Sequence, residues 1–431
     1  MTRPLSSLLA TTALATMMWA APFAARAEDP AKPAEPPKPA PGVLSPEWMG
    51  GISFGAQIQA GVTFNPDGPR SGLNFGHLFT DRANQATLNQ LALTFGRTID
   101  PKTTGFDMGF KVQFLYGSDA RYTHFLGVFD QSISSRYQVD FTEANVTMRL
   151  PVLEGIDVKA GLYSTPLGLE TIDPSTNAFY SKSYIFNFGL PFKHTGLYTV
   201  SHLTGIVDLH LGVDTGVNTT FGNRRGDNNS AAAFLGGFGL NLLDGKLTIL
   251  ALTHIGPENS SRLVPNANSY NRYYNDILIT AKPNDKLTLI TEFNLVRDDL
   301  GYGNGPATAG GVAQYIGYAI SDTWTLNARG EVFRDNKNYF VAAFPRNLNA
   351  VQVLGGYNLT YPGPLLGGRP GNGTTYGAIT LGATWKPEMP KPVGGLMIRP
   401  ELRIDQALSG NKPFNNRSTA VTLGADLVIN F

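Results

Sequence analysis

The sequence predicts an all-β fold, a closed antiparallel transmembrane β-barrel of 16 strands with 14 or 18 as the alternatives, and three observations carry that prediction. From Gly50 onward apolar and polar residues alternate with period 2, which sets one group of side chains on lipid and the other in a lumen. Beyond residue 27 no run of about 18 uncharged apolar residues occurs, so hydrocarbon can be crossed only by a closed sheet. The composition fits such a sheet: 48 glycines and 11% aromatic residues stand against 16% charged residues, below the roughly 25% of soluble domains.

Residues 1–27 read as an export signal, with Arg3 in a positive n-region, an apolar stretch from Leu8 to Ala21, and a small-x-small exit at Ala25-Arg26-Ala27. Cleavage is expected between Ala27 and Glu28. Removing Arg3 and Arg26 leaves 32 Lys and Arg against 33 Asp and Glu, a mature charge of −1 that gives no reason to expect nucleic acid as a partner. There are no cysteines, so neither disulfides nor thiolate metal sites stabilise the exported chain. Residues 28–49 form a Pro-rich periplasmic linker, whose polyproline II segment 28–46 would reach roughly 60 Å.

The barrel occupies residues 50–431. Its first strand places Ile52, Phe54, Ala56, Ile58, Ala60, Val62 and Phe64 on one face, with Ser53, Gln57, Gln59 and Thr63 on the other. The same pattern recurs at Phe106–Tyr116 and Ile156–Leu162. A soluble sandwich also alternates, but its core does not require so large an apolar face on every strand. Short turns at 150–155, 242–246, 282–286 and 320–323 are assigned to the periplasm, and long connections at 65–86, 117–136, 165–194, 257–272 and 407–417 to the outside. Seventeen strand-like segments are present, whereas a chain with both ends in the periplasm needs an even number. Residues 350–361 are therefore read as a hairpin within a long external loop. The last strand alternates from Val421 to the terminal Phe431, an ending expected to be read by the barrel insertion machinery.

Charged residues on the lumen-facing sets are the candidate pore-lining groups. In 394–405 these are Arg399, Glu401, Arg403 and Asp405, with Pro400 on the other face marking an expected bulge. In 323–333 they are Arg329 and Glu331, and Lys111, Lys159 and Glu292 join them from other strands. On a lipid face an Arg near the midplane costs about 2–4 kcal/mol, whereas a wet lumen solvates it. Two readings remain: the ions brace the wall, or they set a transverse field that sorts solutes. The connection 165–195 holds Glu170, Asp173, Lys182 and Lys193 among Tyr180, Tyr184, Phe186, Phe188 and Phe192. So many apolar side chains argue against free solution, and the segment is expected to fold inward and narrow the pore, with Glu170 and Asp173 supplying negative charge. No G-x-S-x-G, H-E-x-x-H or Walker loop is present. His202 and His210, on neighbouring strands, are read as lumen or rim histidines rather than metal ligands or catalysts.

Residues 161–196, GLYSTPLGLETIDPSTNAFYSKSYIFNFGLPFKHTG, resemble the OmpL-like β-barrel porins of proteobacteria at Gly161, Thr165, Pro166, Gly168, Glu170, Ser181, Ser183, Phe186, Pro191, Thr195 and Gly196. The likeness continues through GVDTGVN (212–218), GDNN (226–229) and RPELRID (399–405), with Val217 standing where such proteins tend to have Trp. The resemblance implies a passive porin without a named solute. The expected function is diffusion of small hydrophilic solutes or ions across the bacterial outer membrane, without a cofactor, a metal or catalysis. The alternatives are a selective channel for an ionic nutrient and a non-conducting barrel serving as adhesin or scaffold. Expected partners are outer-membrane lipid and lipopolysaccharide, with a homotrimer left open because lipid-facing and subunit-facing residues look alike.

Overall fold

Segments with period-2 alternation become strands, because only an extended backbone sends successive side chains to opposite faces. The computed structural model describes residues 44–431 apart from 104, 131–134, 223–225, 302–304 and 345–372. The expected signal, most of the linker and the hairpin at 350–361 lie outside the described residues. A short helix α1 (Pro46–Gly50) precedes β1 (Ser53–Phe64), β2 (Ala86–Arg97), β3 (Asp107–Gly117), helix α2 (Ala120–Thr123), β4 (Gln138–Leu150) and β5 (Ile156–Ser164). The chain continues through β6 (Lys193–His202), β7 (Val207–Asp214), β8 (Ala233–Leu242), β9 (Leu247–Pro257), β10 (Asn271–Ala281) and β11 (Leu287–Asp298). It ends with β12 (Ala307–Ala319), β13 (Trp324–Asp335), β14 (Thr374–Trp385), β15 (Gly395–Ala407) and β16 (Thr419–Asn430).

Every strand pairs antiparallel with its sequence neighbours, and β1 pairs with β16 to close a 16-stranded barrel. Closure leaves no open edge, so the strands' backbone groups are satisfied within the sheet, as hydrocarbon requires. Short turns occupy one rim, for example 320–323, and long connections the other. Outward side chains form the expected apolar band: Phe54, Phe95, Phe293, Leu326, Val332, Ile379 and Leu423 are exposed on the outer face. Trp324 and Trp385 stack at 5.6 Å near the short-turn rim, where an interfacial aromatic belongs.

Two local expectations need correction. The linker stops short of residue 49, because Ser45 caps α1 and buries Trp48, whose indole donates to the Met108 carbonyl at 2.7 Å. Pro400 makes no bulge: β15 keeps an unbroken register with β16, and its pairing with β14 lapses there without a shift. The bulges instead fall between Gln59 and Ala60 in the β1–β2 pairing and between Gln113 and Phe114 in β3–β4.

Candidate functional site

Inward charges on β13 and β15 meet because the strand between them carries small residues. On β14, Ala378 lies between Glu331 and Asp405, Thr380 between Arg329 and Arg403, and Gly382 between Asn327 and Glu401. The long side chains lean across those positions and form one alternating ladder. His77 Nε2 contacts Asp405 at 3.1 Å, Asp405 holds Arg403 at 2.8 Å, and Arg403 reaches Glu331 at 3.0 Å. Glu331 lies 3.4 Å from Arg329, which donates to Glu170 at 2.7 Å. Arg399 forms a separate pair with Asp426 on β16. All these groups are buried within the barrel.

Glu170 belongs to the connection 165–192, which crosses the lumen from β5 and β6 to the far wall. It is shorter than expected, since Lys193–Thr195 already belong to β6. Gly168 starts the inward turn at φ +83°, where an L side chain is strained and a Cβ would lie 2.1 Å from Leu190 Cδ1. The far wall then holds the segment mainly by its backbone. Arg399 donates to the carbonyls of Pro174 (2.8 Å) and Asn177 (2.7 Å), and Arg403 to that of Lys182 (3.1 Å). Glu401 accepts the Tyr180 and Ser181 amides, Glu331 the Tyr184 amide at 2.7 Å, and Glu292 the Leu169 amide at 3.1 Å. Charge-assisted bonds to a loop backbone fix its path whatever its side chains are.

Of the twelve candidates, eight join this clamp, Asp173 and Lys182 belong to the segment it holds, and two stand apart. Lys111 and Lys159 sit half-buried on β3 and β5, without an ion pair or hydrogen bond among the described residues. Asp173 plays a smaller part than expected: it caps the turn Pro174–Thr176 and accepts from Gln57 at 3.0 Å. Lys182 turns back to donate to the Thr171 carbonyl at 2.9 Å. His77 and Asp426 were missed as partners. Asp426 was legible from its inward position on the last strand, but nothing local marks His77, which arrives from the loop between β1 and β2.

Other loops fill the outer half of the lumen with an aromatic core. Phe79 packs on Tyr122, Phe186 and Phe192 at centroid distances of 5.4–5.6 Å, and Tyr184 stacks on Tyr376 at 5.0 Å. Asp119 anchors the loop carrying α2 by accepting from Asn89 and Gln90, each at 2.9 Å. Burial pushes its carboxyl up to about 6 against the opposing pull of those bonds. A cavity of about 420 Å³ lies on the outer side, lined in part by Asn74, Phe75, His77 and Phe414. A second of about 290 Å³ is lined in part by Glu170, Phe179, Lys286 and Tyr315, towards the short-turn rim. The ladder runs between them, with His77 on the first and Glu170 on the second. His202 and His210 are held separately, His202 by Asp208 at 2.6 Å and His210 by the Tyr198 hydroxyl at 2.5 Å.

The family model "Putative beta-barrel porin-2, OmpL-like" matches residues 51–431. No curated protein matches the chain. Among solved structures, the loop-L8 deletion mutant of OmpT from Vibrio cholerae superposes with a TM-score of 0.52 at 9% identity, over 88% of this chain and 99% of that one. The anion-selective porin of Comamonas acidovorans gives 0.52 at 8% identity, over 88% and 98%. Salmonella typhi OmpF, solved with daunomycin, gives 0.51 at 10%, over 88% and 97%. At these identities the likeness is one of fold.

Proposed function

This chain belongs to the OmpL-like family of β-barrel porins, and from that premise we propose that it is a narrow passive channel for small hydrophilic solutes, constricted by the segment 165–192. The observation that carries the reading is the clamp: Arg329, Arg399, Arg403, Glu331 and Glu401 hold that segment across the lumen. A wall-bracing role alone would not require bonds to the backbone of an inserted loop. Selectivity follows from what is left uncompensated. Glu401 is held by the neutral Tyr180 and Ser181 amides on one side of the lumen, while the Lys111 and Lys159 ammonium groups stand on the other. Such opposed charges impose a transverse field that aligns dipolar solutes and ranks ions.

The reading includes export by the signal ending at Ala27, insertion through the terminal Phe431, and contact of the outer apolar band with lipid and lipopolysaccharide. It includes no catalytic step. A second reading, a barrel closed at rest, draws on the aromatic packing of the outer half. Planar-bilayer recordings of the mature barrel and of a variant with residues 171–190 replaced by a short Gly-Ser bridge separate the two. Small ohmic steps in the wild type and larger ones in the variant support a constriction. Current in the variant alone supports the closed barrel, and equal steps in both would overturn the role given to the segment.

A further inference from the structure

A second group of buried side chains lies away from the clamp, at the long-loop rim. His194 is the second residue of β6, Asp214 the last of β7, and His254 lies near the outer end of β9. The three meet because their neighbours are small. Gly196 faces Asp214 across β6–β7, where an added Cβ would fall 2.8 Å from Asp214 Cβ, and β8 places Ala233 opposite Asp214. All three side chains are essentially fully buried.

The distances are those of a coordination set. His254 Nε2 lies 3.0 and 3.2 Å from the two Asp214 oxygens, and His194 Nδ1 lies 3.2 Å from Asp214 Oδ2. A tetrahedral ion with bonds of about 2.1 Å separates its ligands by about 3.4 Å. The His194 contact is out of line for a hydrogen bond, so its Nδ1 has no partner despite complete burial. Each imidazole has a polar group beside its far nitrogen. His194 Nε2 meets Thr165 Oγ1 at 3.0 Å, while His254 Nδ1 faces Glu258 Oε1 at 3.8 Å, and neither of these last two atoms has a hydrogen-bond partner. Glu258 is itself held by the Val217 amide at 2.9 Å, and Asp214 by the Gly216 amide at 2.8 Å. A carboxylate behind a metal-ligating histidine is the usual outer-shell arrangement.

We propose that His194 Nδ1, His254 Nε2 and the Asp214 carboxylate bind one divalent transition-metal ion of the zinc class, with Thr165 and Glu258 orienting the imidazoles. Two nitrogens and one carboxylate suit zinc, cobalt or nickel rather than magnesium or calcium, which take oxygen ligands. The ion fastens β6, β7 and β9 beneath the outer loops. This structural role does not depend on what the pore conducts.

Titration of the metal-free, refolded mature barrel in detergent with Co²⁺, followed by visible absorption and then Zn²⁺ competition, tests the site. One equivalent with the strong d–d bands of a four-coordinate ion is expected, together with a Zn²⁺-induced rise in thermal midpoint. In folded His194→Gln/His254→Gln protein, affinity falls by about 100-fold or more, while His210→Gln binds as the wild type does. Absence of the bands in folded wild-type protein overturns the proposal and leaves a His254–Asp214 hydrogen bond with His194 packed beside it. Unchanged binding in the double variant also overturns it. If the double variant does not fold, Glu258→Gln decides: a loss of about 10- to 100-fold supports the site and unchanged affinity overturns it.

Discussion

Glu170 uses its carboxylate twice, taking the Arg329 guanidinium on Oε1 and the Ser183 amide on Oε2 at 2.7 Å. Replacing it by Gln keeps the shape but leaves a buried guanidinium short of a counter-charge, a change that costs about 3–5 kcal/mol in buried pairs. Glu170→Gln is therefore expected to loosen the segment from β13, raise single-channel conductance and shift the reversal potential in a salt gradient towards anions. Unchanged conductance and selectivity would remove Glu170 from the conducting path. Asp119 supplies a pH dependence. The folded chain holds its proton more tightly than the unfolded chain, so the barrel gains from protonation below the ordinary value near 3.8 and loses that gain as pH rises to about 6. Thermal midpoints between pH 4 and 6.5 should fall by the equivalent of at most about 3 kcal/mol in the wild type and less in Asp119→Asn. A slope unchanged by the substitution would rule Asp119 out as its source.

At the scale of elements, β14 matters for what it lacks. Ala378 and Thr380 leave a trough across which Arg403 reaches Glu331, so the ladder is a property of three strands together. Ala378→Leu would fill the trough, adding about 1–3 kcal/mol of overpacking and parting the pair. The compact, heat-modifiable form on a gel should then convert at a lower temperature than the wild type. An unchanged conversion temperature would mean that the ladder does not depend on that trough. The inserted segment shows the complementary case, for its aromatic side chains fill space while the wall grips mainly its backbone, with the Glu170 carboxylate as an added hold.

For the whole molecule, alternation made the strands legible down to the inward set on β15, because a strand exposed to lipid on one face tolerates few errors of phase. The richness of 165–195 in aromatic residues likewise signalled inward folding. Pairings were not legible. Arg329 and Glu170 are far apart in sequence, and the small residues of β14 that let charges meet look like ordinary strand filler. His194 and His254 escaped notice for the same reason, since nothing near either marks the other. The terminal Phe431 exchanges backbone bonds with Ala56, whereas the Pro400 bulge failed because a proline facing outward interrupts one pairing without shifting it.

The clamp also limits how the molecule can be assembled. Segment 165–192 is made before β11–β16, and β15, which grips it through Arg399, Glu401 and Arg403, stands next to the seam where β16 meets β1. Its full set of contacts exists only once the ring is finished. The segment's grip on the wall is therefore complete only when the late strands are in place, which ties filling to sealing, and a chain stalled before closure has a bare sheet edge open to any neighbouring strand.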